Sequence, residues 1–256
     1  MKQKKYINGL VSVIMPCYNG QAYLEEAIQS VLSQSYSSLE LLIIDDASTK
    51  PIKNIISKFI YDKRVRLIQH QENQGVAIAR NTGLKNSKGR YVAFLDSDDL
   101  WHKNKLEKQL NFLWNHQVAF VFSEYEVIRK TSDDIINKIS VPYTIDYLNL
   151  LKNTIIGCST VLIDRKATDS FEMPIISVGE DTATWLNILK KGHIAYGIQE
   201  PLVKYRVSDY SLSKNKWKMV RGTWKMYRIT QSLSFLSTCF YFSHYACNAT
   251  LKRIRK

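Results

Sequence analysis

Along the first 122 residues, short apolar runs alternate with segments whose apolar positions recur every three or four residues. Residues 10–15 form an apolar run that stops at Pro16. Leu24, Ala27, Ile28, Val31 and Leu32 then share one helical face within residues 22–32. A second buried run, 41–44, stops at Asp45-Asp46. Helix is expected over 52–59, strand over 65–68, helix over 76–84 and strand over 91–95, ending at Asp96. A helix over 103–114 and a strand over 118–122 complete the series. This rhythm predicts an α/β fold, a mostly parallel sheet covered by helices on both faces. Such sheets bind ligands beyond the carboxyl ends of their strands. Polar residues gather at those ends here: Tyr18 and Asn19, Asp45 and Asp46, and Asp96 through Asp99.

Residues 123–178 are less regular, with a strand-like stretch at 160–163 and a loop around Pro174. A helix over 181–190, closed by Gly192, precedes two short strands at 194–196 and 203–207. After Ser213 the chain turns helical, basic and aromatic, and no internal repeat is visible.

A length of 256 residues allows one full core plus a tail. The net charge of +13 matters through its distribution: ten Lys or Arg and no Asp or Glu lie between Ser211 and Lys256. A basic tail suits anionic lipid headgroups, nucleic acid or other polyanions, or a solvated face. No RNP, Cys-His or helix-turn-helix pattern accompanies it, which argues against nucleic acid. Cys17, Cys158, Cys239 and Cys247 have no metal-ligand or C-x-x-C spacing, as in a reducing compartment. The run 10–15 is too short for a secretion signal, so the Asn248-Ala-Thr250 sequon carries little weight.

The chemistry-bearing residues each have a structural alternative. In Asp96-Ser97-Asp98-Asp99, carboxylates at i and i+2 project the same way and converge where a hard divalent cation sits well. The same residues also suit a helix N-cap. Asp46 at a strand end can accept a hydrogen bond from a base or ribose, or stabilise a turn. Tyr18 can stack on a base or cover the sheet end. Gly75 opens a helix whose N-terminus can face an anion, and Arg80 can pair with a phosphate or with an Asp cluster. Glu180-Asp181 at a helix start offers a general base, or simple charge–dipole stabilisation. Trp185, one turn further, is either a sugar platform or core.

Together these segments resemble the inverting glycosyltransferases of family 2. The matching text is Val11 to Asn19, Leu42 to Ser48, Gly75 to Gly83, Tyr91 to Asp99, and Gly179-Glu180-Asp181 with Trp185-Leu186. The branch resembled is that of O-antigen, teichuronic acid and cell-surface polysaccharide transferases. The resemblance implies a GT-A, Rossmann-like fold over 1–213. Its donor-binding half would lie at about 9–115, its acceptor-binding half at about 116–213, and a helical extension at 214–256. It implies transfer of a hexose or N-acetylhexosamine from a UDP-sugar, with inversion and with Mn²⁺ or Mg²⁺. Pro16, Tyr18, Asn19, Asp46, Arg80, Asp96 and Ser97 would bind the donor, Asp98 with Asp96 the metal. Asp181 would be the base with Glu180 in support, and Trp185 and Arg206 would meet the acceptor. Many relatives carry a His after the Tyr-Arg strand; Ser208 stands there, and Arg206, Ser211, Ser213 or Lys214 is the expected substitute.

Residues 233–251 carry no permanent charge, but Ser, Thr, Cys, Asn and His interrupt them. An interfacial helix pair is expected rather than a membrane span. That fits a polyprenyl-diphosphate-linked acceptor at the inner face of a bacterial cytoplasmic membrane. Packing on the catalytic domain or on a second subunit is the alternative. A sugar nucleotidyltransferase of related fold is disfavoured, because its first strand should lead into a Gly-rich basic loop and Pro16-Cys-Tyr-Asn-Gly20 is not one. An inactive relative is disfavoured because every carboxylate the chemistry needs is present.

Overall fold

The computed structural model describes residues 6–207 and 216–254. Ten strands form one sheet in the order β3-β2-β1-β4-β9-β6-β10-β5, with β7 added on β6 and β8 on β10. The first half is the parallel α/β unit that the alternation predicts. β1 (Ile7–Cys17) pairs in parallel with β2 (Leu39–Asp45) and β4 (Gly89–Phe94), and β2 with β3 (Val65–Gln69). The helices between them are α1 (Leu24–Leu32), α2 (Lys53–Ile56) and α3 (Val76–Asn86).

The second half is mixed rather than mostly parallel. β9 (Leu162–Asp164) inserts antiparallel between β4 and β6 (Phe120–Ile128). β6 continues past residue 122 and pairs in parallel with β10 (Ala195–Arg206). β10 is one long strand, not two short ones. Its register shifts around Pro201, which cannot donate a ladder hydrogen bond, and that interruption is what the sequence pattern registers as a gap. β5 (Leu100–Trp101), β7 (Ile135–Ile139) and β8 (Thr144–Ile145) are short antiparallel additions.

The apolar runs read as continuous because both sheet faces are buried. Val11, Val13, Met15, Leu41, Ile43 and Ala93 face one core with residues of α1 and of α4 (Lys105–His116). Ile14, Leu42, Ile44, Val92 and Phe94 face the other, with residues of α3, α5 (Tyr147–Lys152) and α6 (Glu180–Leu189). α3 sits close on β1 at Gly83, where a Cβ would come within 2.4 Å of Ile14 Cγ2.

α7 (Lys216–Lys225), a widened π turn over Met226–Thr230 and α8 (Phe235–Ile254) form the C-terminal part. Met226 and Tyr227 are buried in the second core, and the Tyr227 hydroxyl donates to Leu151 O at 2.5 Å. Gln231 Nε2 donates to Asn187 Oδ1 at 2.9 Å, and Asn248 Nδ2 to Lys152 O at 3.0 Å. One side of the extension is thus fastened to α5 and α6. Among the described residues, no helix is long and apolar enough to cross a membrane.

Candidate active site

The site forms at the carboxyl edge of β1, β2 and β4, closed by the N-terminus of α6. Beyond β1 the chain turns at Asn19, in the left-handed region at φ 54°. Asn19 Oδ1 accepts from Thr49 N and Thr49 Oγ1, both at 3.0 Å, and Asn19 N donates to Ser48 Oγ at 3.0 Å. Its side-chain oxygen therefore ties the loop after β1 to the loop after β2. Pro16 lies in the buried end of β1, and Tyr18 stands half exposed beyond it. Gly20 lets this loop approach the loop after β4, since a Cβ there would lie 2.7 Å from Ser97 Oγ.

Asp46 is buried and well supplied with donors. Its Oδ1 meets His70 Nδ1 at 2.7 Å and Gln74 N at 3.0 Å, and its Oδ2 accepts from Gly75 N at 2.7 Å. The anion expected at the start of α3 is thus this carboxylate itself. An oxygen has two lone pairs, so Oδ2 has one acceptor position that Gly75 does not use. His70 Nε2 contacts Thr82 Oγ1 at 2.9 Å, which fixes the ring between α3 and Asp46. His70 belongs to none of the motifs in the sequence, and its signal is only that it directly follows β3 at the same sheet edge as Asp46.

The three carboxylates after β4 have separate surroundings. Asp99 is buried; it accepts from Ser159 Oγ at 2.6 Å and Arg206 N at 2.9 Å. It locks the loop to the 3₁₀ turn at Cys158–Thr160 and to β10. Asp96 keeps a third of its side chain exposed and accepts from Arg80 Nη2 at 2.6 Å. Asp98 is half-buried, and its carboxyl is pushed up to about 6, first by burial and then by the charge of Asp96. Two carboxylates, Asp96 and Asp98, two residues apart at one open edge of the sheet are a fitting pair for a divalent cation. Among the described residues no group of three or more His, Cys, Asp or Glu could hold a metal alone. A cation held here would need further oxygens from outside these two side chains.

Arg206 has another place than expected. Its side chain is fully buried, with Nε donating to Asp98 O at 2.8 Å, Nη1 to Lys130 O, and Nη2 to Glu26 Oε2 at 2.8 Å. Its guanidinium carbon lies 4.0 Å from the centroid of the Tyr23 ring. Arg206 holds the Asp98 loop from behind and presents no surface to an acceptor. Trp185 is likewise core, not a platform: it is 0% exposed, with ring centroids 5.9 Å from Phe94 and 5.4 Å from Phe120. α6 buries the face on which it lies, because almost every residue of that helix is covered. Ser208 and the proposed substitutes Ser211, Ser213 and Lys214 lie outside the described residues.

Arg80 draws the two acidic motifs together. Its side chain is 4% exposed, and its Nη1 donates to Glu180 Oε1 at 2.7 Å while Nη2 holds Asp96. Arg80 thus reaches a carboxylate 100 positions further along the chain as well as the nearby Asp96. Glu180 opens α6 after Gly179, which sits at φ 78° in the left-handed region. Asp181 is pushed up to about 6, by burial first and then by Glu180, while the Arg80 cation pulls it down. A carboxylate with that affinity is ionised near neutrality and still basic enough to accept a proton.

Residues 12–170 match the family described as Glycosyl transferase family 2. Among similar chains, TuaG of Bacillus subtilis (strain 168), a glycosyltransferase named for teichuronic acid biosynthesis, is 45% identical over 246 residues, 96% of this chain and 98% of that one. The Escherichia coli UDP-Glc:alpha-D-GlcNAc-diphosphoundecaprenol beta-1,3-glucosyltransferase WfgD is 41% identical over 216 residues, 84% of each chain. In fold, the chain is similar to the crystal structure of S. aureus TarS 1-349 in complex with UDP-GlcNAc. The TM-score is 0.73 at 18% identity, covering 92% of this chain and 71% of that one. With the matched motifs meeting at one sheet edge, this chain belongs to glycosyl transferase family 2 and is a GT-A glycosyltransferase.

Proposed function

We propose that the chain moves a hexosyl or N-acetylhexosaminyl group from a UDP-sugar, with inversion, onto a polyprenyl-diphosphate-linked saccharide in cell-surface polysaccharide synthesis. The acceptor class is carried by the relatives, since WfgD is named for a GlcNAc-diphosphoundecaprenol acceptor. It implies work at the inner face of the cytoplasmic membrane. The observation that carries the mechanism is the Arg80 bridge, which joins the Asp96 loop to Glu180 beside Asp181.

Tyr18 stacks on the base and Asp46 Oδ2 accepts from it, with His70 holding that carboxylate in place. Asp98 and Asp96 supply the protein oxygens for Mn²⁺ or Mg²⁺. A cation bound there supplies Lewis-acid stabilisation to the departing diphosphate. Asp181 takes the proton of the acceptor hydroxyl. The acceptor oxygen then bonds to the anomeric carbon as the bond from that carbon to the diphosphate oxygen breaks, and UDP leaves. Attack from the opposite face inverts the centre, with no covalent enzyme intermediate. Glu180, paired with Arg80, anchors the start of α6 on which Asp181 stands. In the test, Asp181→Asn retains UDP affinity and loses at least ~10²-fold in turnover, the low end for a positioned acid–base group. Near-normal turnover by this variant rules Asp181 out as the base.

A further inference from the structure

α7, the π turn and the start of α8 turn two kinds of side chain outward. Trp217, Val220 and Ile229 are apolar and exposed, and Arg221, Lys225 and Arg228 are exposed cations interleaved with them. On α8, Leu236 and Phe240 are 80% and 52% exposed and stand one helical turn apart. Its opposite side, with Thr238, Tyr241 and Phe242, packs inward. The two outward faces adjoin where Trp224 meets Phe235, with ring centroids 6.0 Å apart.

This unit lies directly on the loop that ends in Glu180-Asp181. A Cβ on Gly222 of α7 would sit 2.7 Å from Val178 Cβ, and one on Gly179 would sit 3.6 Å from Met226 Sδ. The same extension thus supports the catalytic loop with its inner side and exposes apolar and cationic residues with its outer side.

Charge selects the occupant of the outer side. Between Ser211 and Lys256 there are ten cations and no carboxylate, so two copies of this face repel each other. A nucleic acid would use the cations but has no use for exposed Leu236, Ile229 and Val220. Interleaved aliphatic, tryptophan and basic residues on a helix are the pattern of an interfacial helix. We propose that this α7–α8 face seats the protein on an anionic lipid bilayer. Trp217, Leu236 and Phe240 enter the headgroup–acyl boundary, Arg221, Lys225 and Arg228 meet lipid phosphates, and an acceptor's sugar reaches Asp181 from that side. Only the last clause rests on the proposed function.

The test is co-sedimentation of the full chain with two kinds of vesicle: phosphatidylcholine alone, and equal parts phosphatidylglycerol and phosphatidylcholine. Binding is expected on the mixed vesicles, weakening as salt rises. The variant R221Q/K225Q/R228Q should lose roughly 100-fold in partitioning, the fold-change corresponding to about 1 kcal/mol per cation. The variant W217S/L236S/F240S should lose binding and the blue shift of tryptophan emission on vesicles. Both should keep the wild-type melting temperature and UDP affinity. Equal binding to the two kinds of vesicle, or undiminished binding by either variant, overturns the proposal. So does a dimer, seen by light scattering, that W217S/L236S/F240S abolishes while vesicles bind nothing. Failure of wild-type protein to bind UDP, with vesicle binding intact, would instead strike the proposed function and leave the surface standing.

Discussion

Replacing Arg80 with methionine keeps most of the side-chain volume and removes one buried cation. The guanidinium is 4% exposed and satisfies two carboxylates, Asp96 at 2.6 Å and Glu180 at 2.7 Å. Glu180 itself is only 11% exposed at its side chain, so it is left charged, covered and without its partner. Breaking a buried pair from one side costs about 3–5 kcal/mol. For a chain of this size each kcal/mol lowers the melting temperature by about 2–4 °C, so a fall of roughly 6–20 °C is expected. A pH profile separates the structural from the chemical consequence. Burial and then Glu180 push the Asp181 carboxyl up while the Arg80 cation pulls it down, and the net of the three is a rise to about 6. Without the cation Asp181 holds its proton to higher pH. A base must be ionised, so the acid limb of kcat/KM moves upward in pH, and activity is lost more at neutrality than in mild alkali. Calorimetry and a pH–rate profile of the variant read both effects. An unchanged melting temperature refutes the bridge; a lowered melting temperature with an unmoved acid limb refutes Asp181 as the base.

Two further variants test the neighbouring assignments. Asp98→Ala should abolish the difference between UDP affinity in Mn²⁺ and in EDTA, read by isothermal titration. In the wild type that difference should shrink as pH falls through about 6, because the Asp98 carboxyl, raised by burial and Asp96, takes up its proton there. Trp185→Ala should cost about 3–5 kcal/mol in denaturant unfolding, the range for emptying a large aromatic site. A Trp185→Ala variant of normal stability but lost acceptor binding would restore the platform role.

The places of Tyr18, Asp46, Asp96 and Asp98 were legible in the sequence because each is fixed locally. A buried parallel strand is a short apolar run, and the polar residue after it must lie at the sheet edge; Tyr18, Asp46, Asp96 and Asp98 follow from that alone. The Glu180-Asp181 pair was legible as a helix start. What could not be read is which distant groups meet. Arg80 carried the right alternative, a bridge to an Asp cluster, but its second partner at Glu180 is 100 residues away. Arg206 and Trp185 were misjudged for a shared reason: the periodicity of a strand or helix tells which residues share a face, not whether another element covers it. Ser159 gives no sequence signal at all. Its contacts with Asp99 and with the Asp96 amide exist only because β9 is inserted beside β4. That insertion also adds antiparallel pairs to the mostly parallel sheet expected of the α/β fold.

The most direct test of the account is donor consumption by the full chain across a panel of UDP-, GDP- and dTDP-sugars, in Mn²⁺ and in EDTA, with the product's anomeric configuration read by NMR. Metal-dependent use of a UDP-sugar with inversion, lost in Asp181→Asn, is the expected result. Consumption indifferent to EDTA, retention at the anomeric centre, or use of a GDP-sugar in place of any UDP-sugar would contradict it.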